Sequence, residues 1–201
     1  MAYLRHIYDG IDAKEVTWFV VNRKDIFVIE YLYLLMHEWL LEHGYTTTLD
    51  VDFPEKYYWH REGPAGKEIW WRWRPKRYPL GPNKMWRFDL NIDVHVLPMK
   101  DVEVVLGGKK FKVNQGEVEV QVKAMLVKDP DKLIEKSMFK DVKKLMFNRM
   151  WKQQFDALER EFYREAYEFR DAMNAFLQIE TFLPSKEWAK FWPTRLPETE
   201  R

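Results

Sequence analysis

Along residues 84–97, "KMWRFDLNIDVHVL", large apolar side chains take every second position: Trp86, Phe88, Leu90, Ile92, Val94 and Val96 alternate with Arg87, Asp89, Asn91, Asp93 and His95. A period of two marks a strand with one buried face and one polar face, because successive side chains of an extended chain point to opposite sides. A helix would scatter the same residues around its circumference. The chain must therefore build a sheet, and the alternation suits an antiparallel one covered on a single side.

The neighbouring segments repeat the pattern. In residues 116–129, Val118, Val120, Val122, Ala124 and Leu126 alternate with Glu117, Glu119, Gln121 and Lys123. Residues 101–113 read as a hairpin, because Gly107 and Gly108 accept the positive φ of a primed two-residue turn. Its register sets Val104 opposite Phe111, Val102 opposite Val113 and Glu103 opposite Lys112. Residues 14–22 and 46–53 supply two more β-rich segments.

A further hairpin, "KYYWHREGPAGKEIWWRW", turns at residues 63–66. That loop sets a register that charge can check, since Glu62 falls opposite Lys67 and Arg61 opposite Glu68. Trp59 then pairs with Trp70 on one face, Tyr58 with Trp71 on the other, and Tyr57 stands opposite Arg72. If Ile69, Trp71 and Trp73 face the core, Trp70, Arg72 and Arg74 face outward.

Two helices complete the pattern. Asp25 is placed to cap a helix reaching about His43, and Gly44 to end it. Its apolar residues run around most of its circumference, which implies burial on more than one side. Asp129 followed by Pro130 reads as an N-cap with proline at the first helical position, and no other proline or glycine occurs before Pro184. Apolar residues at 151, 155, 158, 162, 166, 169, 173 and 176 step by three or four, as on a helix laid against a core. Unbroken, a helix over 131–178 would span roughly 70 Å, so a bend near Phe147 and Asn148 or a projection into a partner is expected. In the tail, 181–201, Trp188, Phe191 and Trp192 form a short apolar stripe of their own.

These elements predict one α+β domain over residues 1–201. It holds a curved antiparallel meander of about six to eight strands, packed on an N-terminal apolar helix and a long C-terminal helix. The order of elements resembles that of helix-grip proteins. The resemblance implies a sheet curled around the last helix with an apolar ligand cavity between them; it rests on element order with no shared motif, and the last helix here is longer than that fold needs.

The absence of cysteine excludes disulfides, thiolate nucleophiles and Cys-ligated metals. A formal net charge of +1 gives the whole molecule no strong pull toward nucleic acid or anionic lipid. The first residues, "MAYLRHIYDG", hold no apolar core of signal-peptide length, and the most apolar segment, 26–41, is interrupted by Glu30, His37 and Glu38. A cytoplasmic protein without a transmembrane segment is the expectation.

Motifs with chemistry are scarce. "GPAGKE" ends like a phosphate-binding loop, but Glu68 and a strand follow where Ser or Thr and a helix are needed. "HEWLLEH" puts His37 and His43 six residues apart, on different sides of a helix, so they cannot share an ion. Asp89, Asp93 and His95 point the same way from one strand, with Glu117 and Glu119 on another, and form a candidate cation or acid–base site. The alternative is a solvated face with cross-strand ion pairs involving Arg87 and Lys123. Nothing in the sequence implies a cofactor or a catalytic residue.

Between 67 and 87, seven basic residues stand against Glu68, interleaved with tryptophans. Trp59, Trp70, Arg72 and Arg74 are thus candidates for partner contact, with Trp188 and Trp192 of the tail as cover from the same chain. The segment 132–152 carries seven basic residues against Glu135 and Asp141, whereas 153–180 carries seven acidic residues against three arginines. That order opposes the helix macrodipole but suits antiparallel pairing of two copies. The leading expectation is a non-enzymatic binding or assembly protein whose partner is a protein, itself included, as a homo-oligomer. The alternatives are a helix-grip-type carrier or enzyme for an apolar small molecule, and a binder of single-stranded nucleic acid or lipid.

Overall fold

The computed structural model describes residues 8–47, 53–79, 84–106, 109–132, 134 and 145–179. They form an antiparallel sheet of six strands and two α-helices. In chain order these are β1 (Ala13–Phe27), α1 (Ile29–Glu42), β2 (Glu55–Gly63), β3 (Gly66–Trp73), β4 (Lys76–Arg77), β5 (Trp86–Leu106) and β6 (Lys109–Lys128). A π-helical turn at Met146–Met150 then leads into α2 (Lys152–Ile179). Across the sheet the order is β1-β6-β5-β3-β2, with β4 also pairing β5, so the sheet is open at β1 and β2.

The alternation along β5 and β6 sets the layers. Trp86, Phe88, Leu90, Ile92, Val94 and Val96 are at most 2% exposed, and their neighbours on β6, from Val118 to Leu126 by twos, are fully buried. Both helices cover this face. Phe162 of α2 stacks on Phe88 at 4.4 Å, Tyr33 of α1 packs edge-on against Trp73 at 4.8 Å, and Trp39 meets Phe169 at 4.5 Å to join the helices. Leu32, Met36 and Leu40 of α1, with Phe162, Ala166 and Met173 of α2, have no surface open to water.

Both hairpin registers follow the sequence pattern: Trp59 pairs with Trp70, Tyr58 with Trp71 and Glu62 with Lys67, while Val104 pairs with Phe111 and Glu103 with Lys112. Four features differ from expectation. Residues 84–97 and 101–106 are one strand, as are 109–113 and 116–128, because a bulge at Pro98 and Met99 absorbs the break. The register steps there from Leu97–Glu117 to Lys100–Gln115. Met99 fits only because both flanking strands carry glycine: a Cβ on Gly66 would lie 2.7 Å from the Met99 carbonyl oxygen, and one on Gly116 would lie 3.1 Å from the Met99 Cα.

Second, Asp25 does not begin α1. β1 continues to Phe27, pairing with Asn114, and Val28 takes the N-cap place with no side-chain bond of its own. The cap comes from another strand, since Asn114 Oδ1 accepts the Ile29 N–H at 3.2 Å. The C-terminus behaves as expected. Gly44 has φ +71°, Gly44 N–H donates to Leu41 and Tyr45 N–H donates to Leu40 at 2.8 Å, which is a Schellman closure.

Third, no helix starts at residue 131. Asp129 has φ +48° and Lys132 φ +54°, so the chain turns twice, with the Asp129 carboxylate accepting the Ile134 N–H. Residues 133 and 135–144 lie outside the described residues, and the π-turn falls where a bend near Phe147 is expected. From there the predicted stripe holds: Phe155, Phe162, Ala166, Phe169, Met173 and Phe176 are buried. Fourth, Arg74 is buried, as described below. The 48–52 part of the predicted strand, Gly107, Gly108 and the tail, 181–201, lie outside the described residues.

Replacing Gly66 by alanine should cost at least 2 kcal/mol or so, from its positive φ and from the clash with the Met99 backbone. Gly10→Ala, where φ is +72° but nothing lies within 4 Å, isolates the φ contribution. Urea unfolding of both variants should show the larger loss for Gly66→Ala.

Candidate functional site

The face of the sheet away from the helices divides into a covered half and an open half. At the covered end the turn at residues 8–11 lies over the strands: Asn91 Nδ2 donates to Tyr8 Oη at 2.9 Å, and Asp89 and Asn91 are 2% and 3% exposed. Burial, followed by the charge of Asp89, pushes the Tyr8 hydroxyl well above its ordinary range. Asp89 takes two hydrogen bonds from Arg87, at 2.6 and 2.8 Å.

The open half holds the predicted hairpin residues. His95 stacks on Trp70 with ring centres 3.5 Å apart, and Glu68 Oε1 lies 3.0 Å from His95 Nε2 while accepting the Trp70 indole N–H at 3.1 Å. The His95 hydrogen bond holds the Glu68 carboxyl below its usual range. Trp59 is half-buried beside Trp70, and Arg72 lies over the Tyr57 ring at 5.3 Å with its Nε 3.6 Å from Asp93. At the opposite edge, Trp18 and Val20 of β1 are 47% and 38% exposed.

Arg74 does not join this surface. β3 ends at Trp73 and Pro75 follows, so strand parity no longer governs Arg74. Its guanidinium is buried, donating to the carbonyls of Trp73 at 2.7 Å and Ile92 at 3.0 Å and to Asp93 at 2.6 Å. Trp188 and Trp192 lie outside the described residues. Asp89, Asp93 and His95 are not gathered around one point: they are bonded separately to Arg87, to Arg72 and Arg74, and to Glu68. Among the described residues no cluster of three His, Cys, Asp or Glu is placed to hold a metal, and no helix is long and apolar enough to cross a membrane.

On the hairpin's other side, a groove of about 430 Å³ runs between α1 and β2–β3. Ile29, Glu30, Tyr33, Glu55, Tyr58, Ile69 and Trp71 line it. Sequence reading missed this site because its residues come from three elements joined only by the fold. The available hint was Tyr58, which shares a face with buried Trp71 yet is 55% exposed.

A third cluster is internal. Glu165 of α2, 8% exposed, bonds Arg77 of β4, whose guanidinium lies 5.2 Å from the Tyr45 ring and 5.1 Å from the Phe88 ring. Tyr45 Oη is buried in the same cluster. Burial pushes the Glu165 carboxyl above its usual range; Arg77, Tyr45 and His43 pull it down without cancelling that, and Glu161 adds to the rise. The arrangement clips α2 to β4 and the end of α1. It is largely buried, so it acts on stability.

No protein-family profile matches the chain, and a search of curated protein sequences finds no match.

The folded state holds the Glu165 proton more tightly than the unfolded chain does. Stability from this group is therefore complete below the ordinary glutamate range and declines as pH rises through the raised value. Arg77→Ala should remove about 3 kcal/mol near pH 8 by leaving a buried charge unpaired. The loss should shrink near pH 5, where Glu165 can take a proton; urea unfolding at the two pH values reads the difference, and an equal loss at both contradicts the assignment.

Proposed function

We propose that the chain is a binding protein that assembles with a second copy of itself through the open half of its outer sheet face. The observation that carries this reading is the pair of apolar edges on one face: Trp18 and Val20 on β1, and Tyr57 with Trp59 on β2 continued by Trp70 on β3, separated by the polar outer sides of β6 and β5. A two-fold axis between two such faces, parallel to β5, lays the β1 edge of each copy on the β2 edge of the other. Each apolar edge then meets an apolar edge, and Glu117 and Glu119 of β6 meet the Arg61 and Arg72 side of the partner hairpin. Trp, Tyr and Arg are the residues that such contacts favour.

The placement of β1 beside β6, with a long helix after β6, supports a helix-grip-like topology. Binding of single-stranded nucleic acid is less supported, since Arg74 is buried and Arg72 is committed to Asp93 and Tyr57.

Sedimentation velocity at high protein concentration tests the proposal. The wild-type chain should sediment as a dimer, and Trp18→Ser and Tyr57→Ser should each shift it to monomer with little change in unfolding midpoint, since both side chains are more than 40% exposed. A wild-type monomer at low salt, or variants that remain dimeric, contradicts it.

A further inference from the structure

β1 is an edge strand: it pairs with β6 on one side, and among the described residues no strand meets its other side. Sheet edges are ordinarily blunted with charges, proline or bulges, because their free N–H and C=O groups are a template for any extended chain. The middle of β1 lacks these devices. Residues 17–22, "TWFVVN", hold no charged residue, no glycine and no proline, and the register shift between Glu15 and Thr17 falls before them.

α2 runs alongside this edge in the same direction as β1. Lys14 Nζ lies 2.6 Å from Glu159, and further along Phe19 packs against Tyr167 with ring centres 5.9 Å apart. Between helix and strand lies a groove of about 710 Å³, lined by Val16, Ala157, Glu159, Arg160, Tyr163 and Arg164. Its uncompensated charge is positive. Lys14 neutralises Glu159, whereas Arg160 and Arg164 are exposed and have no carboxylate partner among the described residues. Residues four apart on a helix are separated by about 6 Å along its axis. Residues two apart on a strand, which share a face, are separated by roughly 6.6 Å. Carboxylates at alternate positions of a strand laid beside β1 therefore match the spacing of the two arginines.

We propose that the free edge of β1 docks an extended acidic segment of a partner protein, which adds to the sheet as a further strand along α2. Backbone hydrogen bonds to residues 17–22 hold the segment, and acidic side chains on its helix side meet Arg160 and Arg164. This contact uses the backbone edge of β1 and the flank of α2, so it does not depend on assembly through the outer face.

The probe is an acetylated, amidated heptapeptide that alternates glutamate with valine. Its lysine counterpart and a copy N-methylated at every amide are the controls, and binding to the isotope-labelled full chain is followed by NMR. The glutamate peptide should bind saturably, shift the amide resonances of 17–22 and 157–164, and slow exchange of the β1 amides that do not pair with β6. Both controls should bind at least about tenfold more weakly, one through like charge and the other through loss of the backbone ladder. Arg160→Glu combined with Arg164→Glu, both at exposed positions, should reverse the preference so that the lysine peptide binds more tightly. Tyr57→Ser, which breaks the proposed outer-face assembly, should leave peptide affinity unchanged. Absence of saturable binding by the glutamate peptide overturns the proposal, as does equal binding of either control or an unreversed preference in the double variant. Protection of the same β1 amides before any peptide is added also overturns it, since the chain's own tail or a second copy would then hold the edge.

Discussion

The structure depends on removing from water the inner side chains of β5 from Trp86 to Val96 and of β6 from Val118 to Leu126. β5 and β6 are paired over nearly their whole length, so their backbone polar groups are satisfied within the ladder, and the side chains on their inner face can be sealed under α1 and α2. Each large apolar side chain buried there contributes on the order of 2 kcal/mol, and the effect is collective. A slip of one residue in register would turn Trp86, Phe88 and Ile92 outward and Arg87, Asp89 and Asp93 inward, so the pattern specifies the register as well as the fold.

Exposed aromatic side chains stand on the outer face and at the rim of the sheet. The β2–β3 hairpin belongs to both, because its aromatic residues alternate between them: Trp71 and Trp73 lock it to α1, Trp70 and Trp59 continue the outer face, and Tyr58 stands where the sheet runs out from under the helix. A strand that was only structural would carry small polar residues on its outer side. This one carries rings, held in place by Glu68, His95 and Asp93.

Wherever one residue's period or partner decided the outcome, the sequence was readable. Parity along β5 and β6, both hairpin registers, the Gly44 stop and the α2 stripe all followed from local pattern. The failures share a physical cause, which is that a distant part of the chain supplied what the local pattern lacked. Asp25 was a sound cap for a helix beginning at 26, but pairing with β6 extended β1 to Phe27 and Asn114 furnished the cap instead. The segments 84–97 and 101–106 looked like separate strands, yet two glycines on neighbouring strands made room for a bulge that joins them. Arg74 looked exposed by parity, yet Asp93 and the carbonyls of Trp73 and Ile92 hold its guanidinium buried. The groove and the Arg77–Glu165 clip were not legible at all, since both join elements far apart in sequence.

Hydrogen exchange at the tryptophan indole N–H groups, resolved by NMR, tests the division into a sealed face and an open one most directly. Trp71 and Trp73, at 1% and 0% exposure, should exchange orders of magnitude more slowly than Trp18, at 47%. Exchange of Trp71 and Trp73 as fast as that of Trp18 would mean that the inner face is not sealed, and both the fold and the surfaces inferred from it would be contradicted.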